Sequence, residues 1–364
     1  MNMKTPLRAG VLLVSIAVLV MSVTLITSAQ QGLDEVTVAF KWLPQAQFAG
    51  YYVADEMGFY EDEGLSVTIL PGGGAEPQDL VAAGSAQFGV TWMGILLEAR
   101  DQGFPLVNIA QVFQSSGFRT IAWADSGIAS PSDLRGRSIE AWYGGNEVPL
   151  LALLEKYGIH PDNDLMLQSQ AFDMNAFLTR SVAASAAMSY NELNVVRQVI
   201  VGSESRLTLD EVSALSREEY AVLVDTVQPD EWLTIIDVND EGVAMLEDMI
   251  FTSAAFLSSE ANQDIAVRFV RASLRGWEYA RDHRSEAIDV LLTAEPSGTM
   301  SRLHQSLMLD AVADLIWGSG AQLGYLDPLL FAQTADIALE FGVISQPASG
   351  EAYTHDIWRM ASGN

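Results

Sequence analysis

Three aromatic rings and two primary amides fall within ten residues at Trp42, Gln45, Gln47, Phe48 and Tyr51, directly after an apolar stretch at 36–40. Rings stack on a flat ligand, and amides both donate to and accept from its edge. The competing reading is a helix start whose aromatics enter the core, as is expected for Tyr52. Thr91 and Trp92 follow a second strand-like stretch at 87–90 and either close a ring pocket or fill the core. Trp142, Tyr143, Gly144, Gly145 and Asn146 lie between a strand and a helix. Glycines there let backbone N–H groups approach a ligand at a helix N-terminus, although a plain turn has the same composition. Tyr190, Asn191 and Glu192 follow a strand of small residues and either hydrogen-bond a ligand or cap the next helix.

Lys41 is the only basic side chain in these four loops. An anionic ligand recruits Arg or Lys, so a neutral, planar heteroaromatic ligand is expected, with Arg119 the residue placed to overturn that reading. His160, His283, His304 and His355 are scattered, without metal-ligand spacing to one another. There is no Gly-x-Ser-x-Gly, P-loop or Gly-x-Gly-x-x-Gly pattern, and Gly72-Gly73-Gly74 reads as a turn between prolines. No catalytic residue, metal or cofactor is expected.

The elements that must position these loops alternate. Strand-like segments at 36–40, 66–70, 87–90 and 106–113 are separated by helical ones at 44–57, 77–84 and 93–102, which implies parallel βα units. A linker is expected at 119–131, then a second series with a helix at 148–157 and a strand at 182–188. A return linker is expected at 216–228, followed by helices at 265–282, 302–316 and 328–341. The expected fold class is α/β with two domains and a ligand cleft between them. Domain 1 takes 36–120 plus 229–350, and domain 2 takes 121–228.

The chain has 364 residues, enough for two domains. Lys4 and Arg8 precede a run at 9–26 that is nearly all apolar, and Thr27-Ser28-Ala29 offers small residues for cleavage. Residues 1–29 therefore read as an export signal, or as an uncleaved N-terminal anchor, since the run approaches the roughly 18–20 residues that span a bilayer. The chain contains no cysteine, which closes the lipoprotein route and excludes disulfides and thiolate metal sites. Its formal net charge is −28, and a surface that acidic repels nucleic-acid phosphates.

The order Trp42-Leu43-Pro44, Gly50-Tyr51-Tyr52-Val53-Ala54, Gly58-Phe59-Tyr60, Gly64-Leu65 and Asp133-Leu134-Arg135-Gly136 resembles one known group. It is the thiamine-pyrimidine-synthase and sulfonate-binding-protein-like group of ABC transporter solute-binding proteins. The resemblance continues through Tyr190-Asn191-Glu192, 241–248 and 275–280, and spans roughly 36–344. It implies a periplasmic-binding-protein fold of type 2, a ligand clamped between two domains, and an ABC permease as partner. Relatives bind thiamine pyrimidine precursors, riboflavin or small sulfonates. A eukaryotic branch instead makes the thiamine pyrimidine from pyridoxal phosphate and its own histidine, with iron. That branch has a histidine where this chain has Phe48, an asparagine where it has Gln45, and a cysteine-rich segment; its glycine–acid motif matches 144–147 only loosely. The Gln-Ala-Gln-Phe-Ala-Gly version is closer to riboflavin-binding members.

The expectation is an exported, monomeric solute-binding protein of the periplasm or the outer face of the cytoplasmic membrane. Trp42, Phe48, Tyr51, Trp92 and Trp142 are expected as stacking walls. Gln45, Gln47, Asn191 and Glu192 are expected to read the ligand's polar edge. Gly144 and Gly145 let the second domain close. The alternatives are a thiamine-pyrimidine synthase using pyridoxal phosphate, a sulfonate binder, and a sensory domain held by an N-terminal anchor.

Overall fold

The computed structural model describes residues 32–363 apart from Pro296 and Thr299, so the expected export segment at 1–29 lies outside the described residues. Ten strands are β1 (Asp34–Phe40), β2 (Leu65–Leu70), β3 (Phe88–Thr91), β4 (Leu106–Gln111), β5 (Phe118–Trp123), β6 (Ser138–Ala141), β7 (Met166–Ser169), β8 (Ala184–Met188), β9 (Leu233–Asp237) and β10 (Met249–Ser253). They form two five-stranded sheets, ordered β2-β1-β3-β10-β4 and β7-β6-β8-β5-β9. The helices that bear on the site are α1 (Ala49–Glu56), α2 (Met93–Asp101), α3 (Val148–Lys156), α4 (Glu192–Ser205), α5 (Glu260–Asp282) and α6 (Arg302–Trp317).

Each sheet is mixed, where parallel units alone were expected. β1 runs parallel to β3 and β6 to β8, but β10 is antiparallel to both its neighbours, as is β5. The cause is that the chain passes between the sheets twice, at 112–117 and 238–248. Each sheet so acquires a strand that enters from the other lobe and runs against its neighbours. The second sheet thus begins at Phe118 and ends at Asp237, against the expected limits of 121 and 228. The expected linker at 119–131 opens as β5, a central strand buried without a clean alternation. The expected return linker at 216–228 is the helix Arg217–Val227, started by a reciprocal cap in which Ser216 and Glu219 each bond the other's backbone N–H. From Glu35 onward both sheets belong to one unit.

The longest helix among the described residues, α5, is capped by Ser259, whose side chain accepts from the Asn262 N–H. It buries Ala266, Phe269, Val270, Ser273, Trp277 and Ala280 at helical spacing. Its crossing with α1 is unusually close. A Cβ on Gly276 would stand 2.0 Å from the Gly50 carbonyl oxygen, and one on Gly50 would stand 2.3 Å from the Trp277 ring. Backbone meets backbone there, so α1 and the loop before it are held in one position under the first sheet.

Candidate functional site

The site begins where β1 ends. The Lys41 N–H still donates to the Val90 carbonyl at 3.0 Å, and the chain then turns away from the sheet. The turn is pinned by the Gly72 N–H, which donates to the Trp42 carbonyl at 2.8 Å. A side chain at Gly72 would meet the Trp42 backbone at 2.6 Å, so the glycine run serves this close approach. Gln45 and Gln47 follow, both buried. Gln45 Nε2 donates to Gln47 Oε1 at 2.6 Å, and Gln47 Nε2 donates to Asp248 Oδ2 at 2.6 Å. Phe48 corrects the expectation: it has no exposed surface and stacks on Phe40 with centroids 4.8 Å apart, so it is core rather than cleft wall. Tyr52 is in the core, as expected. Tyr51, also expected as a wall, is likewise core: it is 1% exposed and packs edge-on against Trp277, whose N–H lies near its hydroxyl without meeting it in hydrogen-bonding geometry.

The antiparallel register sets Met249 opposite Thr91, which brings Asp248 beside Trp92. Thr91 Oγ1, Trp92 Nε1 and Asp248 Oδ1 are all buried without a hydrogen-bonding partner. The Trp92 N–H is near enough to favour the charged form of Asp248, but not in hydrogen-bonding geometry. Lys41 Nζ lies 4.1 Å above the Trp92 ring and donates to Asn146 Oδ1 at 3.0 Å, which joins the two lobes. Burial pushes the Lys41 amine down to about 8, against the pull of Asp248, Glu76 and Glu247.

From the second lobe come Gly144 and Gly145, with φ of 89° and 94°. Only glycine takes two successive residues of this kind cheaply. The Gly145 N–H donates to Glu147 Oε2 at 2.9 Å and so is already satisfied within the loop. Trp142 Nε1 donates to the Ala171 carbonyl at 3.1 Å, holding the loop that carries Phe172. Phe172 is 80% exposed and meets Trp42 at 5.1 Å between centroids, an aromatic contact across the mouth that the sequence reading did not name. Tyr143 is half exposed at the same rim.

Asn191 and Glu192 depart from the ligand role expected of them. Asn191 Nδ2 donates to Glu192 Oε1, and Glu192 Oε2 accepts the Met188 N–H. That leaves Asn191 Oδ1 as acceptor for His304 Nε2 on α6, at 2.9 Å, while His304 Nδ1 accepts from Gln198 Nε2. The polar groups of both residues are thus engaged with each other, with the Met188 N–H and with His304, which ties the start of α4 to α6. Tyr190 is buried edge-on to Phe113, and burial, followed by the charges of Asp248 and Glu247, pushes its hydroxyl pKa up. Arg119 does not face a ligand: it is paired with Asp237 at 2.7 Å and donates to the Ser116 and Phe118 carbonyls.

Two residues were missed altogether as site groups. Glu247 and Asp248 close the second crossing segment, each 2% exposed. Glu247 accepts from the Ser116 hydroxyl and from the Gly117 N–H, so it fastens one crossing to the other. Burial raises both carboxyls to about 7. The available signal was an adjacent acid pair directly before an apolar strand. Beside them Trp92, Ile95, Gly145, Pro149, Leu246 and Glu247 line a narrow space next to the crossing segment. Among the described residues no group of three or more His, Asp or Glu could hold a metal.

Comparison with known proteins agrees with this architecture. The chain is 26% identical to the riboflavin-binding protein RibY of Chloroflexus aurantiacus, over 90% of this chain and 87% of that one. It is 26% identical to the formylaminopyrimidine-binding protein of Halalkalibacterium halodurans, over 81% of each. It is 22% identical to a 4-amino-5-hydroxymethyl-2-methylpyrimidine phosphate synthase of Legionella pneumophila, over 72% of this chain and 74% of that one. In structure it matches the periplasmic aliphatic sulphonate binding protein SsuA of Escherichia coli with a TM-score of 0.58 at 15% identity, covering 86% and 90% of the two chains. The fold is therefore that of periplasmic binding proteins. A model for "NMT1/THI5 like" proteins matches residues 45–287, two-thirds of the sequence, and the chain belongs to that family.

Proposed function

We propose that this protein is the extracytoplasmic solute-binding component of an ABC importer. It captures a neutral, flat heteroaromatic molecule between its two lobes and presents the closed form to a membrane permease. The observation that carries this reading is the convergence of buried, unpartnered polar atoms with aromatic surface at the carboxyl end of β3: Thr91 Oγ1, Trp92 Nε1 and Asp248 Oδ1. Each such atom costs about 1–3 kcal/mol unless something pairs with it, and a ligand that enters when the lobes part does so. Trp42 and Trp92 supply stacking surface, and closure follows from tighter binding to the closed state. The names of the riboflavin- and formylaminopyrimidine-binding relatives support the ligand class.

The test is thermal unfolding of the mature protein against riboflavin, hydroxymethyl- and formylamino-pyrimidines, thiamine, taurine and pyridoxal phosphate. A ligand at 100 times its dissociation constant adds about 2.7 kcal/mol. Trp42→Ala weakens binding of the responding ring at least tenfold with the fold intact. Unchanged affinity would sink the assignment.

A second reading rests on Lys41, a buried amine held at about 8 in the same cleft. Such an amine condenses with an aldehyde, losing water, as a pyrimidine synthase using pyridoxal phosphate would require. An imine absorbance band after incubation with pyridoxal phosphate, lost in Lys41→Met, favours it; a flat spectrum removes it.

A further inference from the structure

Asp248 occupies a position that few residues with side chains accept. Its φ is 27°, in the left-handed region, at the junction of the second crossing and β10. Its carbonyl accepts from the N–H groups of Val112 and Phe113, so its backbone locks the two crossings together. None of this requires a carboxylate. Asn adopts the same backbone region readily and has an oxygen to offer Gln47.

The carboxylate does impose a direction on what surrounds it. It can only accept when ionised, so Gln47 must turn its NH2 toward Oδ2 and its oxygen toward Gln45, whose NH2 is then drawn inward. One oxygen of Asp248 is thereby occupied. The other, Oδ1, is buried and has no donor, next to a buried Trp92 N–H that has no acceptor and the partnerless Thr91 hydroxyl. An acceptor beside a donor, both dry, matches a ring edge that carries an N–H next to a ring nitrogen or carbonyl. A second acid, Glu247, adjoins it, while Lys41 is the one cation of the loops at the floor. Strained, buried and half-satisfied groups of this kind persist where function holds them.

We propose that Asp248 Oδ1 is the specificity-determining acceptor of the site: it takes an N–H or NH2 on the edge of a neutral ring and bars ligands whose polar edge only accepts, sulfonates included. This rests on the reading of the protein as a binder of flat heteroaromatic solutes, and it narrows that class to rings with a donor edge. A sulfonate brings three acceptor oxygens and a negative charge against an acceptor that is itself negative when ionised. A pocket built around an unpaired hydrogen-bonding group rejects the wrong partner far more strongly than an apolar pocket does.

Asp248→Asn tests this, because Gln47 Nε2 still demands an acceptor. The Asn oxygen takes that bond, and its NH2 then stands where Oδ1 stood, so a donor replaces the acceptor without change of shape. At about pH 8.5, above the value of about 7 to which burial raises the Asp248 carboxyl, so that it is ionised and only accepts, wild type and D248N are titrated calorimetrically with riboflavin, formylaminopyrimidine and the sulfonate buffer MOPS, and thermal unfolding is recorded for both. The expected result is that wild type binds a ring compound and D248N binds it at least 30-fold more weakly, with an unfolding temperature equal to or above that of wild type. A D248N affinity within threefold of wild type overturns the proposal and leaves the ligand class standing. Wild-type binding of MOPS in preference to every ring overturns the ligand class and the proposal together. Independently of any variant, methylating the edge N–H of the bound ring lowers its affinity for wild type at least 30-fold; a loss below threefold overturns the role of Asp248.

Discussion

Replacing Glu247 by Gln makes the protein more stable at pH 8 and nearly unchanged at pH 5. The side chain is 2% exposed, and burial lifts its carboxyl from the ordinary 4.5 to about 7, outweighing the Ser116 and Gly117 hydrogen bonds and the Arg119 charge. The folded protein therefore keeps its proton where the unfolded chain has lost it. Between about pH 4.5 and 7 the native state binds more protons, so stability falls as pH rises through that window. The full rise corresponds to about 3 kcal/mol, present as a penalty above pH 7 and absent below 4.5. Gln has the same shape: its oxygen can accept the Gly117 N–H, and its NH2 can face the Ser116 hydroxyl, so both crossing segments remain fastened. Urea midpoints of wild type and E247Q at pH 5, 6, 7 and 8 give the test. Taking the difference between the two proteins cancels the titrating groups that Glu247 does not influence, and Asp248, which the Glu247 charge raises, shifts the difference in the same sense. The gap should widen by about 3 kcal/mol in favour of E247Q between pH 5 and 8. A difference that stays flat with pH, or one that favours wild type at pH 8, refutes the reasoning, for Glu247 would then be ionised in the fold at no cost.

Other substitutions separate packing from binding. Gly276→Ala sets a methyl against the Gly50 carbonyl and forces α1 away from α5, costing about 1–3 kcal/mol or more; an unchanged urea midpoint would mean that the two helices are not in backbone contact. Asn191→Ala leaves the His304 N–H without its acceptor, lowering stability by about 1–2 kcal/mol while ligand affinity stays the same, whereas lost affinity would return Asn191 to the ligand site. His304 titrates in the sense opposite to Glu247. Burial pushes it down to about 4, so its contribution is lost as pH falls from about 6.5 to 4, by up to about 3 kcal/mol, and His304→Gln should flatten that limb of the stability curve. Phe172→Ala removes a ring that is 80% exposed, so unfolding is unaffected, but bound ring ligand dissociates faster; an identical off-rate would make the Trp42–Phe172 contact incidental.

The sequence made the loops legible because each follows a short buried strand and departs from its period; Gln45 meets Gln47, and Lys41 links Trp92 to Asn146. It misled wherever a residue's type fitted two environments equally well. Phe48 and Trp42 differ by six positions and are both large rings, yet one stacks beneath the sheet on Phe40 and the other reaches the mouth. Only the turn of α1 against α5, fixed by a close approach at Gly50 and Gly276, decides between them. Asn191 and Glu192 carry the composition of a binding loop and of a helix start, and the partner that resolves it, His304, lies 113 residues away. The antiparallel strands were illegible for a related reason. Alternation reports which face is buried and is silent on strand direction, which the two crossings set.

Those crossings explain why the most consequential pair escaped notice. Glu247 and Asp248 belong to neither lobe's βα pattern, so no periodicity points at them. Asp248 reaches Trp92 because β10 runs antiparallel to β3, which sets Met249 opposite Thr91. The same segment that joins the lobes thus supplies the site with its buried acids. Glu247 holds Ser116 and Gly117 on the other crossing, while Asp248 holds Gln47 in the first loop. On the function proposed above, a ligand that pairs with Asp248 would act directly on the second crossing segment. On that proposal, binding and closure are coupled through this dipeptide. The coupling is separable: E247Q should alter the pH dependence of closure at constant ligand preference, and D248N should alter ligand preference while both crossings stay fastened.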